Sequence, residues 1–386
     1  MNVSGLLLLA QLMIFPFFSS AQKKQPVVLQ WKIAGELSAN SGGLKPLGLA
    51  GAVIGVTNDI LIIGGGSNFP DSMPWLGGKK KYYNEMYVFK RTNDGLLQNY
   101  KSFRLPFPLA YSANCSTRKG IVAAGGENEN GLTSKVLLIQ WASAAQNIVL
   151  KNLPDLPFSV TNATVAAHGN KIYLAGGETN TGASKIFLSL DLDNTETGWK
   201  ALPPLPKALS HAVMLIQSDG HNKCLYVFGG RKKSKESLSD FYASVYRFSL
   251  KTNEWCEKQS LPYGLSAGTG VAAGRNYVLL FGGDRGETFH KTEAVLLALA
   301  NEKNEEKKTQ LNQIRTALQS SHPGFSKEVL LYNTKADVWT VCGSIPLDVP
   351  ATTTAVQWGK YVYIPNGEIR AGVRTPQILV AKMEMK

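Results

Sequence analysis

Short apolar runs, each closed by a glycine pair, recur along the chain: Leu61-Ile-Ile-Gly64-Gly65, Val122-Ala-Ala-Gly125-Gly126, Tyr173-Leu-Ala-Gly176-Gly177, Tyr226-Val-Phe-Gly229-Gly230 and Val278-Leu-Leu-Phe-Gly282-Gly283. A sixth run, Tyr361-Val-Tyr-Ile-Pro365, ends on Asn366-Gly367 instead. β-Branched and aromatic stretches bounded by Gly, Asn and Asp predict strands. The pairs predict tight turns with positive φ, which Gly tolerates and Asn accepts better than most residues. A second landmark precedes the pairs: Leu105-Pro106, Leu156-Pro157, Leu205-Pro206, Leu261-Pro262 and Ile345-Pro346. It leads the pair by 20 (125 − 105) to 24 (229 − 205) residues, and Trp199, Trp255 and Trp339 stand six positions before their dipeptides.

The glycine pairs repeat every 51 (176 − 125) to 53 (229 − 176) residues, close to the ~50-residue period of kelch repeats. The pattern predicts an all-β, six-bladed kelch-type β-propeller with blades of about four antiparallel strands. Two intervals are longer. One holds a loop from Ser67 to Tyr83, the other a charged, helix-favouring stretch at about 292–321 that Pro323-Gly324 ends before the strand Glu328-Val-Leu-Leu-Tyr332. A propeller removes its open edges only by joining its first and last blades. After Glu368 the chain offers one more strand, Gln377 to Ala381, and no strand containing Trp. Trp31 precedes Leu37 by six, as Trp199 precedes Leu205. The N-terminal strand is therefore expected to close the last blade.

The chain has 386 residues, 44% of them hydrophobic and 18% charged, enough for a sizeable core. Leu6 to Phe18 is too short to cross a bilayer, and Ser19-Ser20-Ala21 follows it. That reads as a secretory signal peptide over 1–21, leaving a propeller over 22–386 that is periplasmic or secreted. No later run is long and apolar enough for a membrane span. Cys115, Cys224, Cys256 and Cys342 lack CxxC spacing and read as buried small hydrophobes in or near strands. Export also permits a disulfide, with Cys256 and Cys342, on equivalent strands, as the pair. The net charge of +13 fits either a solvated basic surface or attraction for an anionic small molecule or glycan. An exported chain with no nucleic-acid motif is not expected to bind nucleic acid.

The residues after the pairs are Gly66, Glu127, Glu178, Arg231, Asp284 and Glu368. Equivalent positions in a ring of blades face one end of the axis, so five charged side chains should converge there. Arg285, Glu287, Arg370, Arg374 and Lys79-Lys80-Lys81-Tyr82-Tyr83 lie on loops at the same end. A mixed acidic and basic funnel suits a small anionic polar ligand; alternatively these charges are solvated or pair with neighbours. The five His form no HxH or HExxH pattern, and neither a GxSxG motif nor a Gly-rich phosphate loop is present. No metal or cofactor is expected.

Asn366-Gly-Glu368-Ile-Arg-Ala-Gly-Val-Arg374-Thr resembles the Asn-Gly-Glu-x-x-x-Gly-Leu-Arg-Thr segment of the N-acetylneuraminate epimerase (sialic acid mutarotase) family. The charged insertion before Glu328 and the stretch Tyr332 to Trp339 match that family's layout. Gly64-Gly-Gly-Ser-Asn68-Phe-Pro70, with Pro74-Trp75 and Gly77-Gly-Lys-Lys, resembles its cyclically permuted branch. The resemblance implies Glu368 as the catalytic proton acceptor and Arg374 as the substrate-binding arginine. It implies a sialic acid as the small anionic sugar bound, and interconversion of its α- and β-anomers. The chain departs from the family at Leu109, at Pro206 to His211 and near Ala267-Gly-Thr269, where family arginines and a histidine are replaced. A kelch propeller that binds glycan or protein without catalysis is the alternative.

Overall fold

The computed structural model describes residues 26–38, 47–234 and 236–386; the segment 1–21, expected to be a signal peptide, lies outside them. Six four-stranded antiparallel sheets make a six-bladed β-propeller. In chain order the first strands of the blades are Val53–Thr57, Ala113–Thr117, Thr164–His168, Val213–Ser218, Thr269–Ala273 and Val356–Trp358. The second strands, which carry the apolar runs, are buried along most or all of their length, as in Ile60–Gly64, Gly120–Ala124 and Tyr361–Pro365. They are apolar on both faces because each is sandwiched between neighbouring blades. The outermost strands, such as Asn147–Leu153, are largely exposed. Clusters of buried side chains fill the crevices between successive blades, the last of them joining blade six to blade one.

Both landmarks have mechanical roles. The Leu or Ile of each Leu/Ile-Pro dipeptide is buried and its N–H donates to a carbonyl of its own blade, as from Leu105 to Asn84 at 2.7 Å and from Leu261 to Ala243 at 2.8 Å. The indole N–H groups of Trp199, Trp255 and Trp339 donate at 2.9 Å to the carbonyls of Pro154, Pro203 and Gln259. Each acceptor lies two residues before the dipeptide of the preceding blade, so the tryptophans pin blade to blade.

The N-terminal strand Val27–Glu36 closes the ring as expected. It pairs with Gln377–Met385 from Val27 opposite Met385 to Glu36 opposite Gln377, with a bulge between Ile33 and Gly35. The Leu37 N–H donates to the Pro376 carbonyl at 3.0 Å, the counterpart of the Leu105 bond.

Three details differ from expectation. The turn pair of blade one is Gly65-Gly66 (φ +66° and +91°), because Gly64 is still the last strand residue, paired with Val53 and Met86. Ser67, not Gly66, therefore holds the position of Glu127 and Glu368. The charged insertion is two helices, α1 (Glu287–Asn301) and α2 (Glu305–Ser320), and it starts five residues earlier than the composition suggested. Asn304 separates them by capping α2, its side-chain oxygen accepting from the Lys307 N–H at 3.0 Å. All four cysteines are free thiols, and only Cys224 is buried. Cys256 and Cys342 lie on the outermost strands of adjacent blades, where most of the side chains face solvent.

At the axis, one residue per blade forms a closed hydrogen-bonded ring. The N–H of Tyr111 donates to Gly51 O, Asn162 to Tyr111, His211 to Asn162, Ala267 to His211, Thr352 to Ala267 and Gly51 to Thr352, all at 2.7–3.0 Å. All six are left-handed, with φ between +52° and +65°. Only Gly51 adopts this without steric cost; for the others it costs roughly 1–2 kcal/mol each.

That strain is testable at Ala267. Ala267→Gly should stabilise the fold by up to about 1 kcal/mol, and Ala267→Val should destabilise it by about 1–2 kcal/mol. Urea unfolding midpoints report both; a shift of the same sign for the two variants would remove backbone strain as the cause.

Candidate active site

The ring separates two cavities on the axis. On one side, small residues of the innermost strands line a space of about 380 Å³. On the other, a cavity of about 610 Å³ has Tyr111, Asn162, His211, Ala267 and Thr352 as its floor. Its walls carry Glu127, Glu178, Arg231, Asp284 and Glu368, the five charged residues the repeat pattern sends to this end. Four of these begin a two-residue or three-residue strand folded back in a short ribbon. In blade five, Asp284 leads instead into the helical hairpin. Thr288, Phe289, Thr292, Glu293 and Leu296 of α1, Gln319 of α2, and His322 and Phe325 beyond it also line the cavity.

Glu368 and Arg374 are direct cross-strand partners in the ribbon of blade six, with Glu368–Arg370 paired to Val373–Arg374. Glu368 Oε1 accepts from the Gly372 N–H at 2.8 Å, and Glu368 Oε2 lies 3.5 Å from Arg374 Nη2. The Arg374 side chain is 5% exposed, and its guanidinium packs 4.7 Å from the Phe69 ring. Its Nε and Nη1 have no hydrogen-bond partner. Buried donors without acceptors are costly, and planar N–H forks match carboxylates. Arg374 is thus a guanidinium with capacity left for an anion.

The other charges are more committed. Glu127 Oε1 takes Lys80 Nζ at 3.0 Å and the Tyr82 hydroxyl at 2.7 Å. Lys80 also sits 4.7 Å from the Tyr111 ring centre. Burial alone would lower the Lys80 ammonium, but Tyr111 and Glu127 outweigh it and hold its pKa above the ordinary value. On the other flank runs a relay. Arg231 Nη2 donates to His211 Nε2 at 3.2 Å, which places the His211 proton on Nδ1, 2.9 Å from Ser210 Oγ; Ser210 in turn donates to Glu178 at 2.8 Å. Burial, then the charges of Arg231, Lys233 and Lys80, pushes His211 well below the ordinary histidine pKa. His322 is likewise lowered by burial, and its Nδ1 accepts from the Gly324 N–H at 3.0 Å, leaving the proton on Nε2.

Two residues on the same loops turn away from the cavity. Arg285 stacks 3.8 Å from the Tyr263 ring and pairs with Glu328 at 2.6 Å, and Arg370 pairs with Asp348 at 3.9 Å. Sequence reasoning passed over Tyr111, Asn162 and His211. Each follows a small residue (Ala110, Thr161, Ser210) that bridges to the charged wall position of its own blade, and that recurrence was available in the sequence. Among the described residues no group of three or more His, Cys, Asp or Glu could hold a metal ion, and no helix is long and apolar enough to cross a membrane.

The neutral state of His211 has a consequence for stability. Below about pH 6.5 the unfolded chain takes up a proton that the folded one refuses, so stability is full above that pH and falls as the pH drops. The melting temperature should decline from pH 7 towards pH 5, and His211→Asn should flatten that decline. An unchanged slope in the variant would assign the effect to other groups.

The N-acetylneuraminate epimerase family profile matches residues 153–386, from the end of blade two through blade six, and so includes Glu368 and Arg374. The chain is 31% identical over 229 residues to the N-acetylneuraminate epimerase of Salmonella typhimurium (strain LT2), a stretch covering 58% of this chain and 57% of that one. It is 32% identical over 229 residues to the Salmonella typhi protein of that name, with the same coverage. Against the Vibrio vulnificus protein it is 27% identical over 230 residues, 58% of each chain. The chain thus spans a little over half the length of the curated relatives it matches. With a profile match over more than half its length, the chain belongs to the N-acetylneuraminate epimerase family.

Proposed function

We propose that the protein is a mutarotase that interconverts the α- and β-anomers of N-acetylneuraminate or a closely related 2-keto sugar acid. The observation that carries this reading is the Glu368–Arg374 pair, 3.5 Å apart in the wall of one cavity, with two guanidinium nitrogens unspent. In such a sugar the carboxylate and the hydroxyl are both bonded to the anomeric carbon. An anion held by Arg374 therefore brings that hydroxyl beside Glu368. Glu368 takes the hydroxyl proton as the bond from the anomeric carbon to the ring oxygen breaks; the ring oxygen takes a proton from solvent, and Glu368 returns its own to solvent. Closure on the opposite face of the ketone reverses these transfers and gives the other anomer. The family relationship supports the reaction class, and the cavity beneath the helical hairpin supports a small polar ligand. Export to the periplasm or beyond rests on the leader at 1–21; recovery of the uncleaved chain from the cytoplasm would remove it.

Proton NMR of freshly released α-sialic acid, followed after addition of protein, tests the reading. Glu368→Gln should slow anomer exchange by about 10²–10⁴-fold while binding survives. Arg374→Ala should weaken binding by about 2–5 kcal/mol. A wild-type protein that binds the sugar without accelerating exchange would favour the non-catalytic propeller. Equal affinity for the acid and its methyl ester would take the carboxylate away from Arg374.

A further inference from the structure

A second guanidinium, Arg231, faces the cavity; among the described residues no carboxylate forms an ion pair with it, and Glu178, Asp284, Glu293 and Glu368 act on its charge only from farther away. The carboxylates nearest Arg231 all have other engagements. Glu178 accepts from Ser210, Asp284 from the Gly286 N–H at 2.8 Å, and Glu293 from the Ser239 N–H and hydroxyl at 2.9 and 2.5 Å. Glu368 faces Arg374. Among the described residues no carboxylate forms an ion pair with Arg231. Its hydrogen-bonded side-chain partner is the neutral His211, and its buried Nε has none. Phe289 of α1 lies 4.8 Å from the guanidinium and lines the same cavity. One wall thus offers hydrogen-bond donors beside an apolar ring.

The mutarotase reading decides which ligand group that wall meets, and the inference rests on it. The ligand carboxylate is one bond from the anomeric carbon, so the guanidinium that binds it must adjoin Glu368. Arg374 does, whereas Arg231 sits two blades round the ring. The far side of the sugar carries an acetamido group, whose carbonyl accepts hydrogen bonds and whose methyl is apolar. We propose that Arg231 and Phe289 form the acyl-amide subsite, Arg231 donating to the carbonyl oxygen and Phe289 packing against the methyl. A neutral His211 suits this role because it leaves the Arg231 charge for the ligand. A carboxylate in its place would neutralise the subsite.

Calorimetric titration separates this subsite from a general attraction for anions. The two probes are N-acetylneuraminate and the 2-keto sugar acid with a hydroxyl in place of the acetamido group. Arg231→Gln should weaken binding of the N-acetyl acid by about 10- to 100-fold and leave the hydroxyl acid within about 2-fold. Phe289→Ala should narrow the wild-type preference for the N-acetyl acid, and it serves as the test should Arg231→Gln fail to fold. Equal losses for both acids, or a preference unchanged by Phe289→Ala, would overturn the subsite. Anomer exchange is read separately. If the wild type exchanges neither acid, the mutarotase reading fails; if it exchanges both while the variants lose affinity without selectivity, only the subsite fails.

Discussion

The closed ring of main-chain hydrogen bonds at the axis is the constraint on which the site depends. It joins every blade to the next through N–H and C=O groups alone, so it satisfies buried backbone without prescribing the side chain at each place. The six ring residues are accordingly Gly, Tyr, Asn, His, Ala and Thr. Their shared left-handed conformation turns the chain and floors the cavity. The small residue just before each of them bridges to the wall position of its blade. Geometry is thereby constant while chemistry varies from blade to blade. The strain of five non-glycine left-handed residues is sustained because the bonds close on themselves and none can relax alone.

Around that floor, placement of charge matters more than its amount. The cavity lining holds Glu127, Glu178, Asp284, Glu293 and Glu368 against Lys80, Arg231, Lys233 and Arg374, so the +13 of the whole chain is not concentrated there. What distinguishes the site is which groups have donors or acceptors left. Its carboxylates are occupied by hydroxyls, backbone N–H groups and cations, whereas Arg231 and Arg374 retain buried N–H groups without acceptors. Each of these guanidiniums lies against a phenyl ring, Phe289 or Phe69. The rings hold the forks in place without taking their hydrogen bonds.

The helical hairpin fits the same logic. It replaces the short ribbon that the equivalent turn of other blades carries, and it supplies the cavity with α1 and with His322 beyond α2. A propeller's axial mouth is otherwise open. The insertion gives this one a wall with apolar groups, Phe289 and Leu296 among them, which no turn ribbon of two or three residues could reach across to provide.

Much of this was readable from the chain itself. The repeat period, the Leu-Pro and Trp landmarks and the missing last strand together specified six blades and their closure, because each landmark answers a local need that recurs unchanged. Glu368 and Arg374 were legible through the resemblance of the segment Asn366 to Thr375 to its family counterpart, and the structure makes them cross-strand neighbours in a short ribbon. Three matters were left to the tertiary structure. Three consecutive glycines hid the blade-one register, which only pairing with Val53 and Met86 resolves. The exposure of Cys256 depends on which face of an edge strand meets solvent. The apolar side of the site, with Phe69 from the blade-one loop and Phe289 from α1, lies outside the repeat and is brought to the axis only by ring closure, so local patterning holds no record of it.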